Sequence, residues 1–378
     1  MKRRDFLTGA GLGLATGAAG VYALTSGVSS TATKPATSSG PVAKRKTYEW
    51  KMVTAWPKNM PGLGVGAERC AERITRLSEG ELKVKVFSAG ELVPPFECFD
   101  AVSRGVAELA HAAAYYWQGK SKAANFFSAV PFGLTAAEQT GWIRYGGGQE
   151  LWDELYAGFG VKGFIAGNSG TQMGGWFNRE IRSIADFKGL KMRMPGLGAE
   201  VLRRVGAAAV NISGSELFSA LQIGAIDATE WIGPWNDLAF GFPKIAKYYY
   251  GPGFHEAGTT LELLVNLDKY ETLPQHLKDI VVAACQMEND EMLAEYAVRN
   301  AEAMKTLKKE YKVEIKHFPD DVVKALWKAS NEVLAELEKV DDITGRTYRS
   351  FLAFRDAAMA YSPYAEGGYL RMRNENAG

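Results

Sequence analysis

Cysteine and histidine are scarce in this sequence. The chain has three cysteines and four histidines in 378 residues, with no CxxC pair and no metal-binding spacing among them. This scarcity argues against a Cys/His zinc site and against a disulfide scaffold. No cysteine nucleophile is recognisable. Cys70 and Cys98 each fall on a helical apolar stripe, which predicts buried thiols; a Cys70–Cys98 disulfide is the alternative in an oxidising compartment.

An excess of charge of one sign is also missing. The formal net charge is +1, and the first five residues contribute +2 of it, so the remainder is close to neutral. A neutral chain has no bulk attraction for nucleic acid or for an anionic membrane. Apolar residues make up 47% and charged residues 23%, which is typical of a soluble globular protein. A chain of this length can bury a substantial core and divide into two lobes.

The amino terminus has the features of an export signal. Arg3 and Arg4 precede a mildly apolar, Gly/Ala-rich segment of about 16 residues, from Thr8 to Ala23. This segment is shorter than the ~20 residues that span a bilayer. We therefore predict a twin-arginine (Tat) signal peptide over residues 1–23 and a periplasmic location. Residues 24–47 are rich in Ser, Thr, Ala, Gly and Pro, which predicts a flexible linker.

Strand-like and helix-like stretches alternate from Tyr48 onward. Leu82–Phe87 alternates with a period of two, for example, and follows a helical apolar stripe. This alternation predicts an α/β fold with largely parallel sheets. The predicted division is as follows: residues 48–168 form the first part of lobe 1, 169–259 form lobe 2, 260–340 return to lobe 1 with long connecting helices, and 341–378 form a C-terminal helix. The apolar residues of that last helix make it a candidate dimerisation surface.

Polar and aromatic side chains follow several predicted strands, where ligands bind in such sheets. The candidate site residues are Trp56, Tyr116, Gln172, Arg193, Glu230 and Trp231. Arg193 is either part of a structural ion pair or a clamp for a carboxylate, because a guanidinium matches two carboxylate oxygens. Glu230 is either a core acid paired to Arg193 or a cation ligand, together with an amide oxygen such as that of Gln172 and a backbone carbonyl. The aromatic residues are either core or pocket walls.

Several stretches together resemble the TRAP-transporter solute-binding proteins of the DctP type, from Tyr48 to Arg373. The resemblance rests on Trp56-Pro57-Lys58, Ala89–Leu92, Phe187–Arg193, Leu217–Ala228 and Glu230-Trp231. Pro57-Lys58-Asn59 and Tyr115-Tyr116-Trp117 are most similar to the branch that binds 2-oxo acids and lactate.

The resemblance implies a two-lobed periplasmic-binding-protein clamshell that closes on a small organic acid and delivers it to the membrane subunits of a TRAP permease. In that branch an arginine at the position of Arg193 holds the substrate carboxylate. A cation, Na⁺ or Ca²⁺, is held by residues matching Gln172, Glu230 and the carbonyl of Trp231. Tyr116 and Trp56 are the implied pocket walls. Some members form homodimers through a swapped C-terminal helix.

We therefore predict binding without chemistry, of a 2-oxo or 2-hydroxy monocarboxylate with a metal cation. One alternative is a cation-assisted periplasmic enzyme that uses Glu230 as general base. Against it, no nucleophile or second acid is recognisable in the sequence. The other alternative is a binding protein that presents its ligand to a sensor kinase.

Overall fold

The computed structural model describes residues 46–377, and within this range the chain forms two lobes, each built on one β-sheet. The predicted signal peptide and nearly all of the predicted linker lie outside the described residues. No helix between residues 46 and 377 combines the length and the apolar character that crossing a membrane requires.

Eleven strands are present among the described residues. They are β1 (Tyr48–Thr54), β2 (Leu82–Phe87), β3 (Leu109–Ala112), β4 (Val161–Asn168), β5 (Gly175–Phe177), β6 (Lys191–Arg193), β7 (Ala208–Val210), β8 (Ala228–Thr229), β9 (Tyr248–Tyr250), β10 (Thr260–Asn266) and β11 (Glu314–Lys316). The first sheet has the order β2-β1-β3-β10-β4, and the second has the order β11-β9-β5-β8-β6-β7.

Twelve α-helices of residues 46–377 cover and connect these sheets. They are α1 (Leu63–Leu77), α2 (Cys98–Ser103), α3 (Ala136–Tyr145), α4 (Gly148–Ala157), α5 (Gly196–Arg204), α6 (Leu217–Gln222), α7 (Pro234–Ala239), α8 (Leu267–Glu271), α9 (Gln275–Lys309), α10 (Asp320–Leu337), α11 (Asp342–Tyr361) and α12 (Glu366–Asn376).

The chain crosses between the two sheets three times. Residues 169–174 lead from β4 to β5, residues 251–259 lead back from β9 to β10, and α9 leads to β11. Since the chain leaves a sheet in one direction and returns in the other, β10 runs antiparallel to β4, and β9 antiparallel to β5. Strand β10 alone runs against the other four strands of the first sheet, and β5 alone runs against the other five strands of the second. The expectation of largely parallel sheets is therefore confirmed, with one antiparallel strand in each sheet.

The segment assigned to the return to lobe 1, residues 260–340, divides between the two lobes. Strand β10 lies in the first sheet, between β3 and β4, whereas β11 pairs with β9 in the second. The apolar face of α10 packs against α5, a helix of the second lobe. The sequence pattern did not identify β11, because a strand of three residues is too short to show an alternation.

Helix α9 has 35 residues and is therefore about 50 Å long at 1.5 Å per residue. It packs against β4 and α1 of the first lobe and against α7 of the second. Buried Glu288 on α9 accepts hydrogen bonds from Arg69 (2.7 Å) and Arg73 (2.5 Å) on α1. These contacts anchor α9 to the first lobe.

All three cysteines are free and buried, which confirms the buried thiols and contradicts a Cys70–Cys98 disulfide. The thiol of Cys70 on α1 lies beside that of Cys285 on α9 instead. Burial, together with Cys70, raises the pKa of Cys285. Packing of α1 against α9 brings these two thiols together across 215 residues of sequence.

Candidate functional site

Two neighbouring parallel strands of the second lobe place Arg193 beside Glu230. Arg193 ends β6, Thr229 ends β8, and the two residues are paired in the sheet register. Glu230 is the next residue, so both charged side chains lie at the same carboxyl edge of the sheet. Arg193 is 1% exposed and Glu230 is 0% exposed. This burial requires each charge to have a partner.

The guanidinium of Arg193 is only partly satisfied by the protein. Its Nη1 donates to the Glu230 carboxylate in a short contact, and its Nε donates to the carbonyl of Ile212 at 3.2 Å. Its Nη2 is buried and has no hydrogen-bond partner. The ring of Trp231 lies alongside, with its centroid 5.0 Å from the guanidinium carbon. One nitrogen of the Arg193 guanidinium is therefore a buried donor that the protein leaves unused.

The second crossing segment adds His255 and Glu256 to this charged group. His255 Nε2 lies 3.2 Å from the second carboxylate oxygen of Glu230. Burial opposes protonation of His255, but the hydrogen bond and charge of Glu230 outweigh it and raise the pKa of His255. Burial raises the pKa of Glu256 to about 7. Ligand atoms of Glu230, His255 and Glu256 all lie within 4.8 Å of one another.

A small cavity lies between the lobes, and side chains from both enclose it. Its volume open to the centre of a water molecule is about 10 Å³. The lining residues are Trp56, Leu63, Tyr115, Tyr116, Ser169, Gln172, Trp231, Ile232, Thr259 and Leu261. This volume is on the order of one water molecule. In this conformation the aromatic walls therefore close tightly around the site.

Gln172 presents an unsatisfied oxygen at this cavity. Its Nε2 donates to Ser169 Oγ at 3.1 Å and to Thr259 Oγ1 at 3.2 Å, while its buried Oε1 has no partner. A buried amide oxygen without a donor is costly unless something binds it. An oxygen of this type is a suitable ligand for a hard cation such as Na⁺ or Ca²⁺.

The carbonyl of Trp231 belongs to a peptide unit that Asp237 holds from the other side. The N–H of Ile232 donates to Asp237 Oδ1 at 3.4 Å. In a trans peptide the C=O points opposite to the N–H, so the Trp231 carbonyl points away from Asp237. Asp237 also accepts from Tyr249 (2.6 Å) and Trp176 (2.9 Å), and burial raises its pKa to about 7.

On the opposite wall, His111 fixes the indole of Trp56. Trp56 Nε1 donates to His111 Nδ1 at 2.8 Å, and His111 Nε2 donates to the carbonyl of Ala166 at 3.0 Å. Burial lowers the pKa of His111 to about 4, so the ring is neutral and its Nδ1 is free to accept. The orientation of Trp56 at the cavity therefore depends on a buried residue of β3.

The structure brings the six predicted site residues together. Four of them, Trp56, Tyr116, Gln172 and Trp231, line the cavity, and Arg193 and Glu230 form an ion pair beside Trp231. Of the alternatives given for Arg193 and Glu230, the structural ion pair between them is present in this conformation.

Sequence reasoning missed the residues of the second crossing segment: His255, Glu256 and Thr259. It also missed Ser169. Residues 251–259 follow a strand and contain Gly251-Pro252-Gly253, which is a loop signal. Polar residues directly after such a loop, ahead of an apolar strand, are the pattern that would have pointed to them.

The family model for the bacterial extracellular solute-binding proteins, family 7 (DctP), matches residues 52–340. A monocarboxylate 2-oxoacid-binding periplasmic protein of Nostoc sp. is 39% identical over 369 residues, which is 98% of each chain.

Two solved structures are similar over most of the described chain. A TRAP periplasmic solute-binding protein from Pseudoalteromonas atlantica, with bound sodium and pyruvate, is 39% identical with a TM-score of 0.84, covering 86% of this chain and 99% of that one. A TRAP transporter solute-binding protein from Bordetella bronchiseptica is 35% identical with a TM-score of 0.85, covering 88% of this chain and 100% of that one. It is a mixed-occupancy dimer with copurified calcium and picolinate in one site.

Proposed function

The chain belongs to family 7 of the bacterial extracellular solute-binding proteins, and from that premise we propose that it binds a small 2-oxo monocarboxylate together with a metal cation and delivers it to the membrane subunits of a TRAP permease. One observation carries the proposal. Gln172, whose buried Oε1 is an acceptor without a partner, lines the interlobe cavity. Arg193, whose buried Nη2 is a donor without a partner, lies beside Trp231 of the same cavity wall. A cation satisfies the first, and an anionic group satisfies the second.

The residues present fit a hard cation. Gln172 Oε1, the carboxylate of Glu230 and the carbonyl of Trp231 are all oxygen ligands of the type that Na⁺ and Ca²⁺ bind. Bound there, the cation supplies positive charge that offsets the acidic groups and the ligand's carboxylate. Arg193 supplies the other half of the recognition, because its planar fork matches a carboxylate. Glu230 is placed to serve both, since one of its oxygens pairs with Arg193 and the other faces His255.

The chemistry of pyruvate and picolinate supports a 2-oxo acid as ligand. In each molecule a carboxylate stands next to a second donor atom, a carbonyl oxygen or a ring nitrogen, so the pair of donors can chelate one ion. A simple carboxylate lacks the second donor and would leave a coordination position unfilled. We expect 2-oxo acids to bind most tightly, 2-hydroxy acids such as lactate next, and acetate or propionate least.

A ligand screen tests the proposal. Purified protein is first freed of bound ligand by unfolding and refolding. Thermal shift and calorimetry are then run with pyruvate, longer 2-oxo acids, lactate and propionate, each in Na⁺, in Ca²⁺ and in choline with a chelator. Cation-dependent binding of a 2-oxo acid, with the acid recovered unchanged, is the expected result. Equal binding of propionate and pyruvate would contradict the chelation argument, and turnover of the acid would support an enzyme instead.

We also propose export through the Tat pathway, on the basis of Arg3, Arg4 and the apolar segment that follows them. The family is extracellular, so the chain must cross the inner membrane. Replacing both arginines with lysine preserves charge and is expected to leave the precursor in the cytoplasm, as cell fractionation would detect. Normal export of this variant would favour the general secretory route.

A homodimer through the C-terminal region is a further part of the proposal. Among the described residues, α12 buries none of its side chains, and Tyr364, Tyr369 and Met372 are exposed. An apolar groove of about 590 Å³ lies beside α11, and its walls include Phe132, Phe254, Trp327 and Met359. We infer that α12 of a second copy packs on an apolar surface such as this groove beside α11, because exposed aromatic residues concentrated at one chain end are typical of an interface.

A further inference from the structure

The orientation of the Gln172 amide decides whether the site offers a cation an oxygen. An amide has an acceptor end and a donor end of nearly the same size, so it can be reversed without a change of shape. In the orientation observed, Nε2 is directed at Ser169 and Thr259, and Oε1 is the free end. If the amide were reversed, its NH₂ group would occupy the position of Oε1, and an NH₂ group cannot coordinate a cation.

The hydroxyl of Thr259 has its single proton already committed. It donates to the carboxylate of Glu256 in a short hydrogen bond. Toward Gln172, Thr259 Oγ1 can therefore only accept, and it does so from Nε2 at 3.2 Å. A reversed amide would set Gln172 Oε1 against the Thr259 oxygen, leaving two buried acceptors facing each other with no proton between them. That arrangement is unfavourable in a buried site.

Ser169 does not impose the same direction. Its hydroxyl accepts from Gln172 Nε2 at 3.1 Å, and its own proton has only the distant carbonyl of Gly170 at 3.5 Å. Rotation of this hydroxyl would let it donate to a reversed amide equally well. Selection of the orientation thus lies with Thr259, not Ser169.

Backbone contacts hold this arrangement across the two segments that cross between the lobes. The N–H of Gln172 donates to the carbonyl of Glu256 at 3.0 Å, and the N–H of Ser169 donates to the carbonyl of Thr259 at 3.1 Å. Ser169 and Gln172 lie on the first crossing segment, and Glu256 and Thr259 on the second. Any movement of one segment against the other would disturb the hydrogen bonds that orient the amide.

We propose that Thr259, oriented by Glu256, is a positioning residue that keeps the Gln172 oxygen turned toward the bound cation. The inference rests on the proposed function, because it concerns the cation of that same site. Thr259 acts through Gln172 and sets the affinity for the cation. The 2-oxo acid is affected only through its shared ion. Partners that orient a metal ligand typically contribute a factor of 10–100 to metal affinity.

Three variants of the full exported chain test this role. Thr259→Val keeps the shape and removes the hydroxyl, Thr259→Ser keeps the hydroxyl, and Ser169→Ala removes the neighbour that does not select the direction. Calorimetry with pyruvate is repeated over a series of Na⁺ and of Ca²⁺ concentrations. The quantity compared is the cation concentration at which the association constant for pyruvate reaches half of its value at saturating cation. We expect this concentration to rise about 10–100-fold in Thr259→Val. Thr259→Ser should stay within roughly threefold of wild type, and Ser169→Ala should show a smaller loss than Thr259→Val.

A fourth variant and a second readout keep the test decisive. Glu256→Gln leaves Thr259 in place but offers its hydroxyl a donor as well as an acceptor, so the direction of the Thr259 proton is no longer fixed. This variant should therefore also raise the cation concentration that pyruvate binding requires. It tests the role of Thr259 even if Thr259→Val folds poorly. The rise in melting temperature that the cation alone causes, without pyruvate, should be smaller in Thr259→Val and in Glu256→Gln than in wild type.

The outcomes separate this inference from the proposed function. Wild-type protein that binds no 2-oxo acid with either cation would refute the proposed function itself. Normal wild-type behaviour with an unchanged cation requirement in both Thr259→Val and Glu256→Gln would refute only the positioning role. A loss of pyruvate affinity that is the same at every cation concentration would also refute it, because Thr259 would then act on the acid or on the fold.

Discussion

Arg193 and Glu230 form an ion pair in which neither side chain is more than 1% exposed. Parallel pairing of β6 with β8 places the two residues side by side, so the backbone itself brings the opposite charges together. Such a pair is stabilising only while both members are present, since removal of one leaves a buried charge without its partner. The free Nη2 of Arg193 makes this pair part of a binding site as well as part of the core.

Replacement of Arg193 should abolish recognition of the ligand carboxylate. We expect Arg193→Ala to lower pyruvate affinity by at least about 30-fold, because loss of a charged contact in a buried site corresponds to about 2–5 kcal/mol. Arg193→Lys keeps the charge but loses the fork, so it should fall between the alanine variant and wild type. Calorimetry at fixed Na⁺ measures the affinities.

Arg203→Ala is the matched control, because Arg203 is an exposed arginine of the same lobe that pairs with Glu200 within α5. Its affinity should be that of wild type. Since Arg193→Ala leaves Glu230 without its cationic partner, its melting temperature should also fall. Wild-type affinity in a folded Arg193→Ala protein would rule out the clamp.

Asn236 forms a hydrogen bond between the two lobes, and its loss should speed ligand release. Its Nδ2 on α7 donates to the carbonyl of Pro61 in the first lobe at 2.7 Å. This contact exists only when the lobes are close together, so Asn236→Ala should favour the open form. We expect an affinity about 5–10-fold weaker, in line with ~1 kcal/mol for a hydrogen bond, with most of the change in the dissociation rate. Stopped-flow fluorescence from the cavity tryptophans measures that rate. Asn178→Ala, an exposed asparagine of the second lobe, is the control.

Glu262 is a buried acid of the first lobe that should make stability depend on pH. Its carboxylate accepts from Trp117 Nε1 (2.5 Å) and Tyr156 Oη (2.9 Å), and burial raises its pKa from 4.5 to about 7. The folded state therefore binds a proton more tightly than the unfolded state does. The free energy of unfolding should fall as pH rises from about 4.5 to about 7 and then level off, by roughly 3 kcal/mol at 1.36 kcal/mol per pKa unit.

Glu262→Gln imitates the protonated acid, since an amide also offers one acceptor and one donor. Denaturant unfolding should show Glu262→Gln equal to or slightly below wild type at pH 4.5 and more stable than wild type at pH 8. Glu150→Gln, at an exposed position, should show the same difference from wild type at both pH values. If the free energy of unfolding of Glu262→Gln changed with pH in parallel with that of wild type between these values, the proton affinity of Glu262 would be the same in the folded and unfolded states.

Removal of residues 362–378 should convert the proposed dimer into a monomer. This deletion takes away α12 and its exposed aromatic residues but keeps α11, whose Phe351 is buried in the first lobe. Light scattering after size-exclusion chromatography, over a range of protein concentrations, gives the mass. We expect pyruvate affinity to be retained, because no residue beyond 361 lines the cavity. A monomeric full-length protein would contradict the dimer outright.

Local patterns predicted many of the secondary-structure elements correctly. Leu82–Phe87 is a strand at the bounds that its alternation gave, and a helix, α1, precedes it as the apolar stripe indicated. These signals succeed because period and turn residues act within a few neighbours. The largely parallel direction of the strands was also predicted correctly, except for β5 and β10. Each of these two follows a crossing between the sheets, and the direction of a strand after such a crossing has no local signal.

The resemblance carried the prediction of the site further than local pattern did. Position after a strand had already made Gln172 and Trp231 candidates, and the resemblance gave each of them a role, as a cation ligand and as part of the substrate site. The structure places both in the cavity wall. Their roles as ligands of a cation and an acid stay predictions, and the experiments above are designed to test them.

The sequence by itself determined the residues available for binding and the elements that carry them: an arginine at the end of a strand, an acid after a later strand of the same lobe, and aromatic residues after strands of the first lobe. Only the tertiary structure decided how they are used. The pairing of β6 with β8 joined Arg193 to Glu230, and the return of the chain through residues 251–259 brought His255 to that acid and Thr259 to Gln172. The physical reason is separation along the chain. Contacts between residues 25 to 87 positions apart leave no trace in local periodicity, because they depend on how the two crossing segments pack.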